Sequence, residues 1–215
     1  MQEVNASRDD FWERQERIYK SSYISLGLMI VNIIIFIITT TVASDLFEKG
    51  AMVTARVVGD AQFYRLFSAM FLHADTQHLM SNMLMLALAG AIVENYTGHL
   101  FFIFLYLMSG LAGNMISMAY EIRNSLDWLS VGASGAIMGL VGFIVVWITI
   151  NRKRFITNRN VLLRLLLLGA FVVQACFFQP GANTAAHLGG FLSGLVLGII
   201  NIVILKNDKV MEGLV

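Results

Sequence analysis

Gly132-Ala133-Ser134-Gly135 opens a long apolar stretch that runs to about residue 150. A serine among such small residues has two interpretations. It lets neighbouring helices pack closely, or its hydroxyl takes part in a reaction. These four residues alone do not decide between packing and chemistry, so the decision rests on the rest of the chain.

The composition indicates a membrane protein built from helices. Of the 215 residues, 57% are hydrophobic and 13% are charged, which is about half the charged fraction of soluble domains. A single proline among fifteen Phe and twelve Met fits helices in lipid better than a sheet protein. The net charge of +1 and the absence of a basic block argue against a nucleic-acid partner. Cys176, the single cysteine, cannot form an intramolecular disulfide.

Six apolar segments predict six membrane-spanning helices without an internal repeat. Most approach the ~20 residues that cross a ~30 Å hydrocarbon core. The fifth is marginal, because the residues between Arg164 and Gln179 span only ~21 Å as a helix. A cleaved signal peptide is the alternative for the first segment, but that segment is long and its charged leader is partly acidic. The predicted spans cover about residues 21–43, 77–95, 99–119, 130–150, 161–178 and 184–205.

These spans form one domain over residues 21–205, with short tails at 1–20 and 206–215. Residues 44–65 mix charged and apolar side chains, which predicts an amphipathic first loop at the membrane interface. Basic residues concentrate in the loop at 151–160. The positive-inside rule therefore predicts that both termini are cytoplasmic. We expect a multi-pass protein of a bacterial plasma membrane.

Polar side chains within the spans are informative because they are costly in lipid. His78 and Asn82 lie one turn apart in the second span, Ser134 lies in the fourth and His187 in the sixth. Measured from the predicted cytoplasmic end of each span, the helical rise puts Ser134 and His78 at ~24 Å and His187 at ~27 Å. These residues are therefore expected at one depth, near the outer edge of the hydrocarbon core, with Asn82 one turn deeper.

Glycine stripes predict that the fourth and sixth spans pack closely. If the two glycine faces meet, Ser134 and His187 come within hydrogen-bond reach. The stripes consist of Gly135, Gly139 and Gly142 in the fourth span and Gly190, Gly194 and Gly198 in the sixth.

This arrangement favours acyl-transfer chemistry. His187 could serve as the base that activates Ser134, while His78, Asn82 and the Ser134 amide could bind an oxyanion. No acidic third member is evident at that depth, so we predict a dyad. A metal site formed by His73, His78 and His187 is an alternative, disfavoured because thiolates, carboxylates and a His-Glu-x-x-His motif are missing. Packing roles for Ser134 and structural roles for the histidines also stay open at this point.

Three motifs resemble the rhomboid intramembrane serine proteases in content, order and span. The resemblance covers about residues 21–205 and implies a six-transmembrane-helix rhomboid-like bundle, all-α and integral to the membrane, with an interfacial first loop. It implies Ser134 as nucleophile, His187 as general base, and an oxyanion hole of His78, Asn82 and the Ser134 amide, without cofactor or metal. The motifs are His78-Leu79-Met80-Ser81-Asn82, Gly132-Ala133-Ser134-Gly135 and Ala186-His187-Leu188-Gly189-Gly190 followed by Gly194.

The resemblance also implies partners. The substrates would be transmembrane segments of other proteins in the lipid bilayer that unwind locally and carry a small residue before the scissile bond. They would reach the site laterally near spans two and five, and the product would be released outward. The rival hypothesis is a non-catalytic, rhomboid-like binder of transmembrane helices, which the presence of both Ser134 and His187 disfavours.

Some positions relate to the family pattern in particular ways. His73 and Glu94 match positions that many members share, as a structural histidine and as part of the end of the second span. Two positions depart: Tyr64-Arg65 stands where many members have Trp-Arg, and Met138 stands where many have a tyrosine that stacks on the histidine. The departure at Met138 weakens the expectation that His187 is held by aromatic stacking.

Overall fold

The computed structural model describes residues 2–152, 165–166, 169–170, 172–174, 181–212 and 214, and their side chains from residue 12 onward. The N-terminal part contains α1 (Gln2–Ser21), α2 (Tyr23–Thr41), α3 (Asp45–Gly50), β1 (Met52–Val53), α4 (Thr54–Gly59), α5 (Arg65–Ser68), a 3-10 turn (Ala69–Phe71), α6 (Thr76–Met85) and α7 (Ala91–Thr97). It continues with α8 (His99–Asn124), β2 (Leu129–Ser130), α9 (Ser134–Ile150) and α10 (Thr184–Ile199).

Within the described residues, four helical segments are long and apolar enough to cross a membrane. A short π-helix at Leu86–Gly90 joins α6 to α7 in one segment, and a second short π-helix at Ile200–Ile204 extends α10. The shorter α9 is also apolar and lies largely buried among its neighbours. The fifth predicted span, 161–178, lies largely outside the described residues, so the count of six spans stays a prediction. The four long segments are Tyr23–Thr41, Thr76–Thr97, His99–Asn124 and Thr184–Ile204.

The first loop is folded. Short helices follow one another from α3 to α5 and enclose a small hydrophobic cluster of Met52, Val57 and Ala69. The same loop leaves Phe63 63% exposed and Val58 59% exposed, as an amphipathic segment would. Its strand β1 pairs antiparallel with β2, the one departure from helix and loop in this part of the chain.

Helices α8, α9 and α10 form the centre of the bundle. The predicted contact between the glycine faces of the fourth and sixth spans is confirmed. A Cβ atom at Gly190 would collide with the carbonyl oxygen of Gly135, and one at Gly194 with the carbonyl oxygen of Gly139. Only glycine at these positions permits the two backbones to approach this closely. This contact sets the lateral position of His187 relative to Ser134.

The chain ends pack against the opposite end of the bundle from Ser134. Although predicted only as a tail, residues 2–21 form a helix whose Ile18 is fully buried. Met211 and Leu214 are also buried in the main core cluster, and the hydroxyl of Tyr96 donates to the carbonyl of Asn207 over 2.7 Å. Both terminal segments thus contribute to the core.

Glu94 ties α7 to the start of α2. Its fully buried carboxylate accepts hydrogen bonds from the backbone amides of Ile24 and Ser25 and from the Ser25 hydroxyl. His99 Nδ1 lies 2.7 Å from the same carboxylate. Gly98, with φ of +80°, makes the turn into α8, a backbone conformation that favours glycine.

Candidate active site

Ser134 is the first residue of α9, directly after a sharp turn. Gly132 adopts φ of +127°, and its amide donates to the carbonyl of Ala69 over 2.9 Å. A Cβ atom at position 132 would lie 2.8 Å from two ring atoms of His78. Glycine is therefore needed here for both backbone and space. The turn places the Ser134 amide among the helix N–H groups that lack an intrahelical partner.

His187 meets Ser134 from α10. Its Nε2 lies 2.8 Å from Ser134 Oγ, and its side chain is almost fully buried. Asn183 begins this helix, since its side-chain oxygen accepts from the amide of Ala186 and its carbonyl from the amide of His187. The structure thus brings together the serine and histidine that the glycine stripes led us to expect.

His78 and Asn82 approach the same point from α6. Asp75 caps this helix by accepting from the His78 amide over 2.8 Å, and the two residues follow on one face. Asn82 is buried, and its Nδ2 has no hydrogen-bond partner among the described residues. A buried donor without a partner is costly, which marks this amide as one available to a ligand.

All four residues line one cavity of about 590 Å³. Polar groups line it beside the apolar side chains of Met85, Ile137 and Met138. Its other described lining residues are Ala74, Asp75, Ser81, Asp127, Trp128, Leu129, Ser130, Val131, Val172, Gly181, Ala182 and Asn183.

His73 lies behind His78. It is 1% exposed, and its ring centroid lies 5.1 Å from that of His78 in an edge-on arrangement. Burial, together with the charge that His78 can carry, lowers the pKa of His73 to about 3. His73 is therefore neutral at physiological pH and supports His78 by packing. Within the described residues, no group of three His, Cys, Asp or Glu is placed to hold a metal ion, so the metal alternative lacks a ligand set there.

The two departures from the family pattern have different surroundings. Met138 lines the cavity one turn after Ser134, where its flexible thioether can adapt to what it contacts. Arg65 is buried and holds the first loop together, because its guanidinium donates to the carbonyls of Glu48 and Ala51. The neighbouring Tyr64 is half exposed and donates to the Lys49 carbonyl. The arginine thus anchors the loop without a tryptophan beside it.

Sequence reasoning missed Asn183 and the polar groups behind it. The Asn183 amide donates to the hydroxyl oxygens of Ser117 and Ser130 over 2.6 and 2.9 Å. An asparagine directly before a predicted helix is a capping signal, so its cap could have been predicted. Its partners could not, because they lie more than fifty residues away in the sequence.

Comparison with known proteins agrees with these motifs. Residues 60–203 match the family model described as the Rhomboid domain. RHOMBOID-like protein 2 of Arabidopsis thaliana is 36% identical over 161 residues, which cover 75% of this chain and 49% of that protein. RHOMBOID-like protein 7 of the same plant is 33% identical over 158 residues, 74% of this chain and 49% of that protein. A Bacillus subtilis (strain 168) protein named "Putative rhomboid protease YdcA" is 32% identical over 143 residues, 66% of this chain and 69% of that protein.

The chain thus spans about half the length of the two Arabidopsis relatives. Its matched region includes the first-loop helix α5, the second span, the Ser134 turn and the His187 helix. Together with its long apolar helices, this match identifies an integral membrane protein. The chain belongs to the rhomboid family.

Proposed function

We propose that this chain is an intramembrane serine endopeptidase that cleaves transmembrane segments of other membrane proteins. The observation that carries the proposal is the 2.8 Å approach of His187 Nε2 to Ser134 Oγ on the wall of a cavity with both polar and apolar lining residues. A serine hydroxyl becomes a nucleophile when an adjacent base accepts its proton. Family membership supports a protease-type activity.

The proposed reaction uses the two residues in sequence. Ser134 Oγ attacks the scissile carbonyl while His187 Nε2 takes the hydroxyl proton, and the imidazolium then gives that proton to the leaving amine. A water molecule, activated by the same histidine, hydrolyses the acyl-enzyme. His187 Nδ1 has no partner among the described residues, so a dyad fits better than a triad.

Negative charge develops on the carbonyl oxygen during attack. We assign its stabilisation to Asn82 Nδ2, the His78 ring and the Ser134 amide. The unpartnered Asn82 Nδ2 supports this assignment, as does the position of Ser134 at the positive end of the α9 dipole. Donors fixed in advance around a developing oxyanion are usually the largest single contribution to such catalysis.

The membrane orientation is part of the proposal. The basic sequence at 151–160 supports a cytoplasmic location for both termini under the positive-inside rule; in that orientation Ser134 would lie near the outer side of the membrane. The rhomboid domain then comprises residues 21–205, with six spans in all. We propose the plasma membrane of a bacterium as its location; the relatives named above come from both a plant and a bacterium.

A fluorophosphonate probe on the purified protein tests the dyad. We expect covalent labelling at Ser134, identified by peptide mass spectrometry, and loss of labelling in His187→Ala. Ser193→Ala is the matched control for His187→Ala, because Ser193 lies on the same helix as His187 and pairs with Ser109 away from the site. Labelling that persists in His187→Ala, or that falls on another serine, would contradict the assignment.

A further inference from the structure

Glu121 is a buried carboxylate at the end of α8 nearest the proposed site. It is fully buried, and it forms no ion pair within the described part of the chain. Three donors surround it: the Thr54 hydroxyl at 2.8 Å, the Ser117 hydroxyl at 3.0 Å and the Trp128 amide at 3.2 Å. A buried polar group is costly unless it is hydrogen-bonded, so these three donors stabilise the Glu121 side chain in its buried position.

The carboxylate sets the direction of a hydrogen-bond chain. The Ser117 hydroxyl donates to Glu121 Oε1 and therefore points its proton away from Asn183. The lone pairs of Ser117 Oγ then face Asn183 Nδ2, which donates to them over 2.6 Å. The second N–H of Asn183 donates to Ser130 Oγ. The amide nitrogen of Asn183 is thereby fixed, and its oxygen is left facing the α10 amides.

This chain ends at the first turn of α10. The Asn183 oxygen caps the amide of Ala186, and the Asn183 carbonyl accepts from the His187 amide over 3.0 Å. In serine hydrolases with a triad, an acid bonded directly to the histidine orients the ring. Here the His187 ring has no such partner among the described residues, so its orientation depends on how firmly its helix turn is held.

We propose that Glu121, acting through Ser117 and Asn183, is a positioning residue that holds His187 opposite Ser134. The same carboxylate ties in the first loop through Thr54 and the segment before β2 through Trp128. One buried side chain therefore links the cap of α10 to the first loop and to Trp128, which lines the cavity. The catalytic part of this proposal rests on the proposed function, whereas its structural part does not.

Glu121→Gln tests the chain with little change in shape. Its new NH₂ group must face either Ser117 or the two donors Thr54 and Trp128, so a donor loses its acceptor in either orientation. Glu94→Gln is the matched control, because Glu94 is equally buried and hydrogen-bonded at the opposite end of the bundle. Asn183→Asp is the second variant, which keeps the capping oxygen and removes both N–H donors.

Hydrogen exchange measures positioning without reference to activity. Tenfold faster exchange corresponds to about 1.4 kcal/mol, and the net contribution of a buried hydrogen bond is on that scale. We expect the amides of Ala186 and His187 to exchange about tenfold faster in Glu121→Gln and to be unchanged in Glu94→Gln. Equal exchange in wild type and Glu121→Gln overturns the proposal even if the chain has no protease activity.

Turnover measures the catalytic consequence. With a transmembrane substrate at a temperature where all variants are folded, Glu121→Gln and Asn183→Asp should lower kcat about tenfold, because small misplacements of reacting groups are expensive. In Glu121→Gln, KM should stay within about twofold, because Glu121 does not line the cavity and the contacts there are kept. A kcat equal to that of Glu94→Gln, with wild type active and Ser134→Ala inactive, overturns the positioning role alone. Cleavage that survives in Ser134→Ala overturns the proposed function.

Discussion

Asn82→Leu should raise stability and lower turnover in the same protein. Leucine has the same branched shape as asparagine but no donor or acceptor. Asn82 is 5% exposed, and its Nδ2 has no partner among the described residues. A buried polar group left unpaired costs about 1–3 kcal/mol. Fitting the larger methyl groups of leucine offsets part of that gain, so the substitution should stabilise the folded protein by about 1 kcal/mol.

The effect on catalysis has the opposite sign. The loss of one oxyanion donor lowers kcat by about 10²–10³-fold in well-studied hydrolases, and we expect about 10²-fold because His78 and the Ser134 amide remain. Unfolding by denaturing detergent and initial rates on a transmembrane substrate measure the two effects. Asn32→Leu is the control, since Asn32 is equally buried on α2 away from the cavity and should leave kcat unchanged. An unchanged kcat in Asn82→Leu, or a parallel loss of stability and rate, refutes the assignment.

Three further substitutions test the Ser134 turn, the contact between α9 and α10, and the buried His73. Gly132→Ala strains a positive-φ turn and displaces the His78 ring. We expect the free energy of unfolding to fall by about 1–3 kcal/mol and kcat to fall by more than this loss of stability explains; unaltered cleavage would contradict the position of His78 beside Gly132. Gly194→Ala drives a methyl group into the Gly139 carbonyl. It should prevent folding at 37 °C, measured as loss of resistance to an added protease, or abolish cleavage of a substrate by the protein that does fold. Folding lowers the pKa of His73 from 6.5 to about 3, so the free energy of unfolding should be highest above pH 6.5 and should be about 2 kcal/mol lower at pH 5. His73→Phe should remove this part of the pH dependence, measured by unfolding at several pH values, and an unchanged dependence would contradict the expectation.

The parts of the fold that follow from local sequence were predictable. Apolar segments of membrane length are visible without tertiary information, because the bilayer demands ~20 consecutive apolar residues. The glycine faces were predictable for a similar reason, since small residues at helical spacing mark close contacts. The constant rise per residue of a helix was sufficient to predict that Ser134, His78 and His187 lie at one depth.

Long-range polar contacts could not be predicted in this way. Glu121 lies just beyond the predicted end of its span, and nothing in its local sequence indicates burial or the partner Thr54. The helical N-terminus and the buried Met211 depended on docking surfaces formed by other spans. In each case the determining interaction joins residues far apart in the chain, and only the folded bundle brings them together.

We propose Ser134 as the nucleophile of an intramembrane protease. The most direct measurement is cleavage of a labelled transmembrane substrate by the purified protein in lipid, compared with Ser134→Ala at equal folded concentration. We expect cleavage within the transmembrane segment by wild type and none by Ser134→Ala, and we expect a mechanism-based inhibitor to trap an acyl-enzyme on Ser134. Wild type that binds the substrate without cleaving it, or Ser134→Ala that cleaves as fast as wild type, would contradict it.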